Sequence, residues 1–470
     1  MTVLNYLGEH VLLRKIIYSL VLANLMTGCV SSDLDTTTHS SGRLNSLADT
    51  LTDRWQLDEQ GIHWQVTDSH VDHLEFSGEQ ISAIIYYGAD KQGNLTLKRK
   101  LVWPMLRTIP NDTHASLIHD FTLDVSPTIS INQQKANQEQ LKQVNFNGIL
   151  RLSSELGQQV SVTRVLSPST TEPVMIEQLR YVNDGEKAAR LTIDALNYQF
   201  NTAKDKGVAG VYHIGATSDK SGEFLLKAGE SLTVNVQYVA TAAGQNRHFD
   251  AQAEINKRQL YITSLQNNLQ LVTPDANLNK MFDFAKLRGA ESIYRTSGGL
   301  MHGPGGGDYY AAIWANDQAE YINPFFPFLG NESGNESAIN SFRHFARFMN
   351  DEFTPIPSSI IAQGLDIWNG AGDRGDCAMI AYGASRYALA KGDKSQATEL
   401  LPLIDWCLEF SLRKMSADGV IASDSDELEG RFPTGDYNLS TNVLSYGALV
   451  SASHLNHELG RNTVAADYQT

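Results

Sequence analysis

The spacing of apolar residues changes once along this chain, and that change limits its architecture more than any other feature. From about Asp53 to Ala242 apolar side chains fall on every second residue: Ile62, Trp64 and Val66; Leu95 and Leu97; Val160 and Val162; Leu191 and Ile193; and Leu232, Val234, Val236 and Tyr238. Alternation of this kind sends successive side chains to opposite faces of a strand. Turn residues interrupt it at Gly88, Asp90-Lys91-Gln92-Gly93, Gly148, Gly157, Asn183-Asp184-Gly185 and Gly229-Glu230. Many short alternating strands with frequent turns predict an antiparallel β-sandwich over residues 53–248. No grouping of His, Cys and carboxylates at metal-ligand spacing occurs there, so this part reads as scaffold.

Near Phe249 the period becomes that of a helix. Residues 249–275 read as a connecting helix, Ala253 to Gln266, and a linker in which Pro274-Asp275 restarts the chain. Beyond it come Leu278, Met281, Phe282 and Ala285; Ala338, Phe342, Phe345, Ala346 and Met349; Ala397, Leu400, Leu401, Ile404, Leu408 and Met415; and Leu444, Ala448, Ser451, Leu455 and Leu459. Each set recurs at i, i+3, i+4, i+7 and buries one stripe against neighbours. Helices are predicted over about 276–295, 312–323, 336–351, 375–391, 395–415 and 439–459, with a further one starting at Thr463. Phe325, Phe326 and Phe328, broken by Pro324 and Pro327, read as packing that ends the helix over 312–323. Cys377 and Cys407 fall at matching heights on a hairpin turning at Gly392-Asp393-Lys394. They form either a disulfide or a pair of small buried hydrophobes, and helix axes packed ~8–10 Å apart favour the second.

A chain of 470 residues with 42% hydrophobic and 19% charged side chains is too long and too apolar for a disordered tail, and should hold two or three packed domains. With 37 basic against 53 acidic residues, a net charge of −16, no surplus of cations exists to neutralise phosphates, so nucleic acid is excluded as a partner. Arg14 and Lys15 precede an uncharged stretch, Ile16 to Met26, whose eleven residues suit a secretory signal and are too few for a spanning helix. Residues 1–28 read as signal peptide, and 29–52, rich in Ser, Thr and Asp from Ser31 to Ser41, as a tether. The run Leu25-Met26-Thr27-Gly28-Cys29 resembles the lipobox of bacterial lipoproteins, with Met26 where Leu is usual. The resemblance implies acylation of Cys29 and a lipid anchor to membrane, on the periplasmic side of the outer membrane or at the cell surface. A plain signal peptide with a buried cysteine is the alternative.

Three connections exceed the ~2–8 residues usual between packed helices: 296–311, 352–374 and 416–438. They follow alternate helices, so in an up-down arrangement they should emerge at one end and meet there. Their content suits carbohydrate. Tyr309, Tyr310, Trp314 and Trp368 offer flat faces to a sugar ring, while Asn316, Asp317, Gln363, Asp366, Asp373 and Arg374 can hydrogen-bond its hydroxyls. Asp373, Arg374 and Asp376 read equally well as a helix cap with an ion pair. The last connection carries Asp418, Asp424, Asp426, Glu427, Glu429 and Asp436, and crowded carboxylates raise one another's pKa. Asp317 and Glu320, three apart, share a helix face, where helix N-terminal charge compensation is the bland role and sugar contact by Asp317 the favoured one. No calcium-loop or phosphate-loop pattern is present, and no cofactor or metal is implied.

These features together resemble the six-hairpin glycosidases, the glucoamylase-like (α/α)6-barrel enzymes with an N-terminal β-sandwich, over about residues 53–470. Trp314-Ala315-Asn316-Asp317 is similar to the family's Trp-x-Arg-Asp, with Asn316 in place of the Arg that helps hold the sugar. Pro355-Ile356-Pro357 leading through Gly372-Asp373-Arg374-Gly375-Asp376, and Asp418-Gly419-Val420-Ile421 opening the last long loop, are similar to corresponding passages. The resemblance implies a partial (α/α)6 helical barrel over 276–470 as catalytic domain, with the general acid at Glu427 or Glu429. It also implies a catalytic base in the barrel's second half, beyond residue 470, so that the sequence reads as a fragment of a longer product or as a degenerate protein. The expected activity is a glycoside hydrolase, inverting, on an oligo- or polysaccharide at the cell envelope. The alternatives are a polysaccharide lyase using Tyr309 or Tyr310 with Asn316 neutralising a uronate, a sugar phosphorylase, and a non-catalytic glycan-binding lipoprotein.

Overall fold

The computed structural model describes residues 54–58, 61–136, 138–242, 247–310, 312–361, 367–368 and 370–469. The anchor at Cys29 and the candidates Gln363 and Asp366 lie outside the described residues. From Arg54 to Thr470 the chain forms one compact unit, an antiparallel β-region followed by helices.

The alternating segments pair as expected. A nine-stranded antiparallel sheet runs, in spatial order, through Gln56–Asp58, Gly61–Gln65, Gln140–Phe146, Leu150–Gly157, Val160–Pro168, Val174–Asn183, Ser231–Ala242, Tyr212–Ser218 and Asn197–Asn201. It shares a core with a four-stranded sheet of His70–Ser77, Ser82–Ala89, Leu95–Arg107 and Ser116–Thr122, and with a smaller one built around Ala189–Ile193. Trp64, Leu97, Leu101, Val162, Leu191 and Val236 point into that core. One buried charge cluster ties the layers: Glu177 accepts from Arg99 Nε at 2.7 Å, Arg164 Nη1 at 2.6 Å and the Tyr238 hydroxyl at 2.9 Å. The strand Ser82–Ala89 departs from alternation and is buried almost throughout. Its outer side is covered by the connection after the first barrel helix, where Gly306 N–H donates to Glu75 at 3.2 Å and Tyr294 and Tyr310 pack on Val102.

The helices are α1 Ala251–Asn267, α2 Ala276–Glu291, α3 Asn323–Leu329, α4 Glu332–Ala346, α5 Asp376–Lys391, α6 Lys394–Arg413, α7 Leu439–Glu458 and α8 Asn462–Asp467. Side-chain caps set most of their starts: Asp275, Asn331, Asp393 and Asn438 each accept from an amide of the following first turn. Gly392, at φ 67°, closes α5 and allows the tight return into α6. Cys377 and Cys407 face each other across that hairpin as free buried thiols, not as a disulfide. Small residues on α5, among them Ala378, Ala381, Gly383 and Ala384, let it pack against α3, α6 and α7 at once.

The helix expected over 312–323 is corrected. Ala312–Trp314 is a strand, a π-helical turn occupies Asp317–Ile322, and α3 continues through both prolines to Gly330. Pro324 lies in the first turn of α3, where its missing amide breaks nothing, so the prolines do not end the helix. The helix expected over 276–295 ends at Glu291, because Ile293–Thr296 turns out to pair with Gly299–His302.

Candidate active site

Short strands gather the long connections. Ala312–Trp314 pairs with Ser359–Ile361, and this strand pairs with Ile367–Trp368. Trp314, Ser359 and Trp368 are register partners, which carries their side chains to one face of the small sheet. The chain then enters the π turn, fixed by Ala315 N–H to the Ser358 carbonyl at 3.0 Å and by Asn323 N–H to the Gln318 carbonyl. Pro324 has no amide to send to the Glu320 carbonyl, as an ordinary α-helical register would require, so a wider winding fits this sequence. Gly383 on α5 reaches so close to this turn that a Cβ there would lie 2.0 Å from the Ala319 carbonyl oxygen.

The π turn faces the carboxylate-rich connection 416–438. The Tyr321 hydroxyl donates to Glu427 Oε2 at 3.3 Å. Burial first, and then the nearby Glu427 carboxyl, push Glu320 up to about 7. Its Oε1 is buried without a partner among the described residues. Asp317 is also raised, first by burial and then by Glu427 and Glu429, with Arg374 pulling the other way. Glu429 has different company: Arg374 Nη1 lies 3.4 Å from one oxygen and Arg431 Nη2 3.2 Å from the other. Among the described residues Glu427 has no Lys or Arg partner. The two glutamates, two positions apart, therefore sit in opposite electrostatic settings.

Other expected residues prove to build the site rather than line it. Arg374 is wholly buried, donates to Asp376 Oδ1 at 2.9 Å, and Asp376 in turn accepts from Ser358 at 2.7 Å. Asp373 is buried, takes Lys414 and the Gly375 amide on its carboxylate, and accepts the Asp424 and Ser425 amides on its carbonyl. Both residues clamp 352–374 to 416–438, which corrects the expectation that they touch sugar. Tyr310 is corrected likewise: it is 1% exposed, stands edge-on to Tyr294 and accepts the Gly307 amide at 2.9 Å. Burial raises its phenol, so it offers neither a stacking face nor a proton. Tyr309 remains 39% exposed and edge-on to Trp314, with ring centroids 5.3 Å apart. Trp314, Trp368, Asn316 and Asp317 are half-buried, and Asn316 Oδ1 has no partner among the described residues.

The connection 296–311 reaches this place only through Tyr309 and through Gln318, which donates to the His302 carbonyl at 2.7 Å. Gly299–His302 packs on α4, where Asn340 Nδ2 donates to the Leu300 carbonyl at 3.1 Å, and the stretch around Gly306 and Tyr310 lies on the β-region. Glu320 and Tyr321 were not singled out as site residues by the sequence. The spacing of Glu320 from Asp317 was the one available signal, and it does not separate a site carboxyl from helix-end charge compensation.

No family model matches the sequence, and no curated protein matches it. Several solved structures are similar. A protein from the human microbiome described as a kojibiose phosphorylase aligns with TM-score 0.54 and 9% identity over 88% of this chain and 68% of its own. A bacterial glucoamylase complexed with acarbose aligns at 0.45 and 9% identity over 89% of this chain and 68% of its own. A glycoside hydrolase of family 105 from C. acetobutylicum aligns at 0.30 and 12% identity over 46% of this chain and 62% of its own. At such identities the likeness to the first of these is one of fold alone: a β-region followed by helices of an (α/α)6 barrel.

Proposed function

We propose that this chain carries the β-sandwich and the general acid, Glu427, of a glycoside hydrolase that cleaves an oligo- or polysaccharide with inversion. The observation that carries the reading is the setting of Glu427: a carboxyl placed against a second carboxyl and a phenol, with no cation beside it among the described residues. Protonating a glycosidic oxygen requires a carboxyl that is not tied up in an ion pair, and of the two glutamates only Glu427 meets that condition among the described residues. Glu429 is taken up by the guanidinium groups of Arg374 and Arg431 and serves better to fix Arg374 and the loop. Trp314, Trp368 and Tyr309 supply the stacking wall, and Asp317 and Asn316 the hydrogen bonds to sugar hydroxyls. The chain is further proposed to be exported and anchored at the cell envelope through Cys29.

Release of reducing sugar from a panel of neutral, acidic and amino glycans tests the reading in the full-length gene product. Glu427→Gln should lower turnover by at least about 10²-fold while glycan binding survives. Normal turnover by that variant removes the proposal. A sugar phosphorylase is a second reading, favoured by the fold likeness to the protein described as a kojibiose phosphorylase. Product formation that depends on inorganic phosphate distinguishes it.

A further inference from the structure

The β-region, which reads as scaffold from the sequence, sends one side chain to the rim of the candidate site. We infer that His114 is a saccharide-binding residue: its imidazole extends the aromatic wall of Trp314 and Tyr309 and contacts a sugar unit other than the one whose bond is broken. The inference rests on the glycan reading of that wall and deepens it, since it makes the ligand an oligo- or polysaccharide long enough to reach the sandwich.

Three rings stand in succession across the seam between the two parts of the fold. Tyr309 is edge-on to Trp314 with centroids 5.3 Å apart, and it meets His114 at 4.6 Å with the two planes inclined at 57°. Trp314 leads into the π turn that contacts Glu427, so His114 lies at the far end of the wall from the proposed acid. Tyr309 keeps 39% of its surface and His114 is exposed, so the contact covers little of either ring. A contact that served only to seal the seam would bury its rings, as Tyr294 and Tyr310 are buried on Val102. The seam is already closed there. Among the described residues the ring nitrogens of His114 have no hydrogen-bond partner. An imidazole packed against a tyrosine, with both nitrogens open to water, can lie on the C–H face of a sugar and exchange hydrogen bonds with its hydroxyls.

The turn that carries His114, between the strands Leu95–Arg107 and Ser116–Thr122, is fixed from within and from a second segment. Asp112 Oδ1 accepts the His114 amide at 3.0 Å, and the Asp112 carbonyl accepts the Ala115 amide at 3.2 Å. Arg107, 3% exposed, donates from Nε to Asn111 Oδ1 at 2.9 Å and from Nη2 to the Asp112 carbonyl. The Ile109 amide reaches the Lys206 carbonyl at 2.8 Å. A buried guanidinium committed to an exposed turn gives the imidazole a set position, and a group already in position loses less freedom when a ligand binds. The connection bearing Tyr309 is held in the same way, by the Gly306 amide on Glu75 and the Gly307 amide on the Tyr310 hydroxyl.

Calorimetric binding and turnover of malto-, cello-, chito- and galacturono-oligosaccharides by the full chain, each series as its disaccharide and its longer homologues, test the inference. In the series that binds, His114→Ala should raise Kd and KM for the longer homologues by about 3- to 10-fold, the loss of about one hydrogen bond, while kcat, Tm and the affinity for the disaccharide stay unchanged. His114→Gln, which keeps a donor and an acceptor, should recover part of the loss. In nuclear magnetic resonance spectra of the unmodified protein, the imidazole carbon signal that is missing from His114→Ala should move on addition of a longer homologue and stay in place with the disaccharide. Equal weakening at every length shows that His114 acts only by bracing Tyr309 and overturns the inference, as does an unmoved His114 signal or a failure of all four series to bind. If the longer homologues bind through His114 and none is cleaved, the subsite stands and the glycosidase reading falls. If cleavage depends on Glu427 and is indifferent to His114 at every length, that reading stands and the subsite falls.

Discussion

Gly383→Ala tests whether the close approach of α5 is what sets the π turn. A Cβ at this position would lie 2.0 Å from the Ala319 oxygen, 2.5 Å from its carbonyl carbon and 2.6 Å from its Cα, all of them backbone atoms. Since such contacts do not fall below 3.0 Å, the turn and α5 must separate by about 1 Å. In an unobstructed helix interior the same change would stabilise by about 1 kcal/mol. Overpacking costs about 1–3 kcal/mol, so the net is a loss of about 0–2 kcal/mol, or about 0–8 °C in Tm at ~2–4 °C per kcal/mol. The local consequence is larger. A displacement of ~1 Å at a reacting group can cost about 10²-fold in rate, and this one shifts the turn from which Tyr321 reaches Glu427. The assay is thermal unfolding by circular dichroism beside glycan turnover, with Gly383→Ser as a second variant. A Gly383→Ala protein with raised Tm and unchanged turnover would falsify the claim that this contact positions the site.

Two further predictions concern the scaffold. Glu177→Gln leaves Arg99 and Arg164 facing a neutral amide in the buried sandwich core, which should cost about 3–5 kcal/mol and about 6–20 °C in Tm. Burial alone would raise the Glu177 carboxyl, but Arg99 and Arg164 outweigh it and hold the group below its ordinary value. Its contribution is therefore complete above the usual carboxylate range and is lost as pH falls through the depressed folded value. Melting curves between pH 2 and 7 should show a steeper acid decline for the unmodified protein than for Glu177→Gln, and parallel curves would contradict the pairing. Asp393→Ala removes the acceptor for the Ser395 and Gln396 amides at the start of α6, at 2.8 and 3.1 Å, and should cost about 1 kcal/mol; Asp393→Asn should cost less. Urea unfolding midpoints decide it.

Much of the fold was legible because it follows from periodicity. Leu97, Val162, Leu191 and Val236 are buried where alternation placed them, and the caps at Asp275 and Asp393 start helices where the chain was read to restart. The errors fall where tertiary pairing outweighs local pattern. Ala312-Ile313-Trp314 fits a helix or a strand equally well, and only the distant Ser359–Ile361 makes it a strand. Ser82–Ala89 looks unlike an alternating strand because a later connection covers its second face. The prolines at 324 and 327 were read as terminators although the preceding turn is wound so that the first amide is not needed.

The site shows the same division more sharply. Local sequence placed acidic residues in 416–438 and aromatics around Trp314, but it offered no ground for choosing between Glu427 and Glu429. The distinction lies in partners far along the chain: Tyr321, 106 positions before Glu427, and Arg374, 55 positions before Glu429. An acid assignment of this kind cannot be made from the glutamates themselves, since their intrinsic pKa values are the same and only the neighbours differ. The π turn matters for that reason. It is the element that presents Asp317, Glu320 and Tyr321 together to one side chain of the acidic loop, and it exists because a proline follows it and a glycine on α5 leaves it room.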